Sequence, residues 1–247
     1  MANQTERPAV GHLRSRAVTW LIGVGVMLAV LSLAAVGLLV VRADRVGETA
    51  FLFLPWNLFL AWIPFVLALA LAAVHVRRGP RPVLWLLGAG WLLFLPNAPY
   101  ILTDFIHLGR LRGAPLWFDA AVIGLFAAVG LALGLVSLLV VHAVVEAWAG
   151  RVVGWVFAVT ALLLSAIGVY LGRFPRFNSW DVLTDPSGLV GVVLQRLADP
   201  FGNPFLVRFA VAMSVILLGS YVVAWVVGRG ILGPVQGRVT PAVREPV

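Results

Sequence analysis

Six apolar runs, each about as long as a helix needs to be to cross the hydrocarbon of a bilayer, leave this chain almost no other way to fold. They cover residues 17–41, 50–74, 83–102, 116–145, 152–171 and 205–227, and a transmembrane helix takes about 20 predominantly apolar residues. In lipid every backbone N–H and C=O must find a partner inside the protein, and a helix supplies those partners within its own segment. The fold class expected is therefore all-α: a polytopic transmembrane bundle of about six spans. Composition agrees, with 62% hydrophobic and 11% charged residues, where a soluble domain is nearer half apolar and a quarter charged. The first run exceeds the apolar core of a cleaved signal peptide and reads as a retained span.

Two absences narrow the chemistry. There is no cysteine, which excludes disulfides, thiolate metal sites and cysteine nucleophiles together. All 18 basic residues are arginine, so Schiff-base and lysine-base mechanisms are excluded as well. The net charge of +8 would suggest nucleic acid in a soluble protein. Here the arginines lie in short segments between apolar runs, which is a topology signal and not a nucleic-acid patch. The expected partner is the lipid bilayer.

Arginine placement orients the chain. Ten of the 18 arginines fall on the side of the N-terminus and tail, among them Arg77, Arg78, Arg81, Arg151 and Arg229, and most acidic residues fall on the other side. By the positive-inside rule both termini are expected in the cytoplasm of a bacterial inner (cell) membrane. Residues 1–16 form a polar cytoplasmic lead, 17–228 the membrane domain, and 229–247, rich in Gly and Pro, a disordered tail. In the sizeable loop before the last span, Asp185-Pro186-Ser187 is a helix-start signature. It is followed by Leu189, Val190, Val193, Leu194 and Leu197 at helical spacing, which predicts a short interfacial helix.

On this topology the polar and aromatic clusters converge on the outer face. Pro96 and Pro99, with Asn97 between them, cannot keep all the hydrogen bonds of a regular helix. The third span is therefore expected to unwind there into a polar pocket, with Asn57 and Asn97 serving freed backbone groups. The alternative is a simple helix end at the interface. Asp104 and His107, at i and i+3, share a face if helical, so that a carboxylate could orient an imidazole or both could ligate a metal, with Asp181 or Asp185 as a further ligand. Solvated loop residues are the other reading. Arg173 and Arg176, with Tyr100, Asn178 and Trp180 near them in the same face's clusters, suit a phosphate or carboxylate clamp, although Arg and Trp are also ordinary interface anchors. His142 and Glu146 read as a helix-end ion pair with Arg151 nearby, and Asp119 as either a pocket residue or an interfacial one.

Three strings carry a resemblance: Trp56-Asn-Leu-Phe-Leu-Ala-Trp-Ile-Pro64; Leu95-Pro-Asn-Ala-Pro-Tyr-Ile-Leu-Thr-Asp104 with His107; and Gly172-Arg-Phe-Pro-Arg-Phe-Asn-Ser-Trp-Asp181. In this order the chain resembles the bacterial membrane proteins grouped as domain of unknown function 1361. The resemblance implies a multi-pass fold and motif positions at Asn57, Asn97, Tyr100, Asp104, His107, Arg173, Arg176, Asn178, Trp180 and Asp181, and no reaction.

Three functions remain open from the residues. The first is binding or processing of an anionic envelope or lipid-linked substrate, with Asp104, His107 and Asp181 as acid/base or metal-ligating groups and Asn57, Asn97, Tyr100, Arg173, Arg176, Asn178 and Trp180 as the binding set. The second is a non-catalytic assembly or sensor subunit, and the third a facilitator. A proton-coupled carrier is disfavoured, because no carboxylate or His lies near the centre of a span. Neither a cofactor nor a protein partner is specified.

Overall fold

In the computed structural model, which describes residues 6–47, 51–109, 114–188, 191–192 and 204–232, the chain is an all-α bundle. No strand occurs among the described residues. The elements are α1 (Glu6–Val46), α2 (Phe53–Val76), α3 (Arg81–Phe94), a single turn α4 (Asn97–Tyr100), a 3-10 segment (Ile101–His107), α5 (Leu116–Ala149), α6 (Arg151–Arg173), the short α7 (Asp181–Thr184) and α8 (Pro204–Leu232). Six stretches are long and apolar enough to span a membrane, with α3, α4 and the 3-10 segment counting as one. The chain is a multi-pass membrane protein.

Helix ends follow local chemistry. At the end of α2, Arg78 takes φ +54°, its N–H donating to His75 O and that of Gly79 to Val74 O. These are the two bonds of a Schellman stop. Between α5 and α6 the whole connection is Gly150, at φ +87°, which a side chain would adopt only with strain. Helix extends past the apolar runs at both described ends, while the stretches apolar enough to span begin at Val18 and end at Arg229. α1 is already helical from Glu6, inside the expected polar lead, and α8 continues to Leu232, past the expected edge of the tail. Residues 233–247 lie outside the described residues. So do Leu189, Val190, Val193, Leu194 and Leu197 of the expected interfacial helix. Its start is present: residues 186–188 are helical and Gly188 N–H donates to the Asp185 carboxylate at 3.0 Å, an N-cap.

α5 is the spine. It packs on α1, α2, α4, the 3-10 segment, α6 and α8, and a span surrounded by protein has little lipid-facing surface. On one flank Leu54, Phe65, Ile101, Phe126 and Leu133 form a fully covered apolar cluster, and on the other Trp91, Leu138, Ala166, Val169 and Tyr221 form a second. In lipid such helices associate by close packing of small residues and by interhelical hydrogen bonds. Trp91 Nε1 on Ser137 Oγ and Trp62 Nε1 on Ser32 Oγ, both at 3.1 Å, are bonds of that kind.

The expectation that the third span unwinds is corrected. Leu95, Pro96, Tyr100 and Ile101 all keep right-handed helical backbone angles; what breaks is the hydrogen-bond ladder. The prolines remove two donors, and the helix tightens into a 3-10 segment. Two carbonyls left open there are capped by side chains: Asn97 Nδ2 donates to Phe94 O at 2.9 Å, and Ser179 Oγ donates to Leu93 O at 3.1 Å. Every backbone acceptor in lipid requires such a partner.

Glycines allow this irregular turn to sit deep in the bundle. A Cβ on Gly130 would lie 2.7 Å from Ile101 Cδ1 and 2.8 Å from Ala98 O, and one on Gly168 would lie 2.5 Å from Pro96 Cγ. Gly130 and Gly134 on α5, and Gly168 and Gly172 on α6, are spaced four apart on the faces that receive α4. This is the small-residue spacing that lets helices approach closely in membranes.

Candidate functional site

The centre of the site is a buried carboxylate. Asp104, in the 3-10 segment, has no solvent exposure. Its Oδ1 accepts from Arg173 Nη2 at 2.7 Å and its Oδ2 from Asn57 Nδ2 at 3.0 Å. Three spans are tied together at this point, since Asn57 comes from α2 and Arg173 from the last turn of α6. Arg173 also donates from Nη1 to the Tyr100 hydroxyl at 3.3 Å, while its Nε is buried without a hydrogen-bond partner. A buried charge is tolerated when it is paired and hydrogen-bonded, and here each oxygen of Asp104 has its donor.

Above this knot lies an open cleft of about 510 Å³. Its polar lining is Tyr100, His107, Arg173, Arg176 and Asn178, and its apolar walls are Ile106 and Phe174. Arg176 stands at φ +67°, in the left-handed region that only a few per cent of non-glycine residues adopt. The conformation lets the chain leaving α6 turn back, so that Phe177 N–H reaches Leu171 O at 3.1 Å. Arg176 is solvent-exposed. Among the described residues Arg42, Arg173 and Arg229 each have a carboxylate partner, and Arg176 has none.

The predicted residues therefore divide. Asn57, Tyr100, Asp104 and Arg173 form one hydrogen-bonded unit, while His107, Arg176 and Asn178 join Tyr100 and Arg173 on the cleft wall. His107 packs its ring 5.2 Å from Phe53. Asn97 serves the backbone and Ser179 (2.9 Å) and does not line the cleft. Asp181 is engaged by its own loop, accepting from Asn178 N–H at 2.6 Å and from the Thr184 hydroxyl at 3.2 Å. Trp180 meets Trp56 edge to face at 6.5 Å. Among the described residues no group of three His, Cys, Asp or Glu side chains could hold a metal ion.

Other polar residues acquire roles that the sequence reading left open or misassigned. Asp119 is buried and paired with Arg42, Nε to Oδ1 at 2.6 Å, with the guanidinium 4.3 Å from the centre of the Phe51 ring. It is neither a cleft residue nor a solvated interfacial one. Glu146 faces His142 at 3.8 Å, as the i, i+4 spacing predicts, and its arginine partner is Arg229 at 3.5 Å rather than Arg151, which is exposed. His142 meets the Tyr221 hydroxyl at 2.5 Å. Ser179, which lies in the third motif string, caps the broken span. The signals that could have found these partners are opposite charges flanking apolar runs at the same membrane end, and the paired glycines on α5 and α6.

No curated protein and no solved structure matches the chain. A family model described as protein of unknown function (DUF1361) matches residues 56–219. That interval begins at the Trp56 string and encloses the Asn57–Asp104–Arg173 knot, the broken third span and the cleft, and it covers well over half of the chain. The chain belongs to that family of unknown function, DUF1361.

Proposed function

We propose that this membrane protein binds an anionic group, carried by an envelope or lipid-linked molecule, in the cleft beneath Arg176. The observation that carries the reading is the contrast between two arginines three residues apart. Arg173 is neutralised by Asp104, whereas Arg176 reaches the same cleft with no carboxylate partner among the described residues. A guanidinium offers up to five donors in a planar fork suited to phosphate or carboxylate oxygens. Asn178, His107 and the Tyr100 hydroxyl add further polar contacts around it.

Binding is favoured over acid–base turnover because both oxygens of Asp104 already accept hydrogen bonds. A facilitator is disfavoured because, among the described residues, the interior below the cleft is packed with apolar side chains: Trp91, Leu138, Val169 and Leu217 are buried. The arginine distribution supports an orientation in a bacterial inner membrane with both termini cytoplasmic and the cleft on the outer side.

Arg176→Gly is the sharpest test, because glycine adopts φ +67° without strain. The variant is expected to keep the folded protein, with stability changed by no more than about 1 kcal/mol. Retention of a phosphate monoester, glycerol 3-phosphate, by protein in neutral-lipid nanodiscs should fall at least about tenfold, the scale of losing a charge-assisted hydrogen bond. Unchanged retention would remove the anion site.

A further inference from the structure

We infer that the occupant of this cleft is a membrane-resident amphiphile that enters sideways from the bilayer, with its charged head under Arg176 and the first part of its chain against Phe174 and Phe205. The inference rests on the anion-binding reading above and adds the substrate class and the route of entry. Its basis is the asymmetry of the cleft wall. Polar groups occupy the floor and the rim, but both sides are apolar side chains that also face outward: Ile106 is 47% exposed and Phe174 39%.

On the Phe174 side the apolar surface continues away from the cleft. The Phe174 ring lies 4.8 Å from Phe205 and 5.4 Å from Phe209, and Tyr170, one turn below on α6, packs 6.0 Å from Phe209. These rings join the end of α6 to the first two turns of α8, and Phe205 is half exposed. The result is a pair of exposed rings, Phe174 and Phe205, beside the charged rim, seated on a half-buried Phe209 and a buried Tyr170. A phosphate or carboxylate joined directly to an apolar chain is the chemistry that matches a guanidinium and exposed rings in continuous succession. Aromatic side chains with an apolar body next to polar groups are suited to this depth of the membrane.

The experiment compares one headgroup with and without a chain. Full-length protein in neutral-lipid nanodiscs is titrated with dioleoyl phosphatidic acid and, separately, with glycerol 3-phosphate, and bound probe is quantified by native mass spectrometry. The lipid should bind at least about tenfold more tightly, since the bilayer holds its head beside the cleft at high effective concentration and its chain packs on the two rings. Phe205→Ala, outside the cleft lining, should weaken the lipid several-fold and leave the soluble probe unchanged, and Phe174→Ala should weaken the lipid by at least as much. Arg176→Gly should weaken both probes by a similar factor.

Equal affinity for the two probes, or lipid binding indifferent to both phenylalanine variants, would overturn lateral entry and leave the anion site standing. Binding of neither probe, or indifference of both to Arg176→Gly, would overturn the anion site and this inference with it. Phe205→Ala guards against misfolding, because that ring is half exposed and its removal opens no closed cavity.

Discussion

Removing one partner of a buried ion pair leaves an uncompensated charge in a low-dielectric interior, at a cost of roughly 3–5 kcal/mol. Two such pairs hold the cleft end of this bundle, Asp104–Arg173 and Arg42–Asp119, and the second joins α1 to α5. Asp119→Leu alone should lower the thermal midpoint of the purified protein sharply. Adding Arg42→Met in the same chain should restore most of the loss, because well-packed apolar replacements of a buried pair are often neutral. A double-variant cycle by thermal unfolding in nanodiscs measures the coupling, and additive losses would show that the pair is not the cause. Asn57 belongs to the same scale. Its amide holds one oxygen of Asp104 at 3.0 Å, so Asn57→Leu should cost about 1–3 kcal/mol by leaving a buried acceptor unsatisfied.

For the elements, the question is how a span with two prolines stays packed. Its answer lies in neighbours distant in sequence: the glycine pairs of α5 and α6 receive the turn, and Ser179 from the loop after α6 caps Leu93 O. Gly168→Val should destabilise more than most single substitutions, since even a first added carbon would sit 2.5 Å from Pro96 Cγ and packed interiors shift only at a cost. Ser179→Ala should cost about 1 kcal/mol, because it leaves the part-buried Leu93 O without its donor. It should also free the 174–184 loop to limited proteolysis without changing helical content by circular dichroism, and an unaltered cleavage pattern would mean the cap does not hold the loop. The break itself was legible from Pro96-Asn-Ala-Pro99. Its form was not, because lost hydrogen bonds and lost helical angles are different events, and only the surrounding packing decides whether one entails the other.

On the scale of the whole molecule, six spans place the start of α1 and the end of α8 on one side and separate Arg78, between α2 and α3, from Arg176, after α6, by the full thickness of the bundle. The native chain has no cysteine, so a single introduced thiol reports without background. On the proposed orientation, Arg176→Cys should react with a membrane-impermeant maleimide in intact cells and Arg78→Cys only after the membrane is opened. The reverse pattern would invert the topology, although the cleft and the knot beneath it would remain opposite the termini.

The sequence by itself determined the number of spans, their approximate limits and the concentration of polar motifs at one end. These depend on local hydropathy and on the demand that each backbone group in lipid be satisfied within its own segment. It also marked Asn57, Asp104, Arg173 and Arg176 as residues of interest. Only the tertiary structure decided what each one does. Whether a charge is spent or free depends on which side chains from other spans reach it. Arg173 and Arg176 are alike in type and three residues apart, yet Asp104 and the cradle around α4 commit the first to the bundle, while the turn at φ +67° leaves the second facing the cleft.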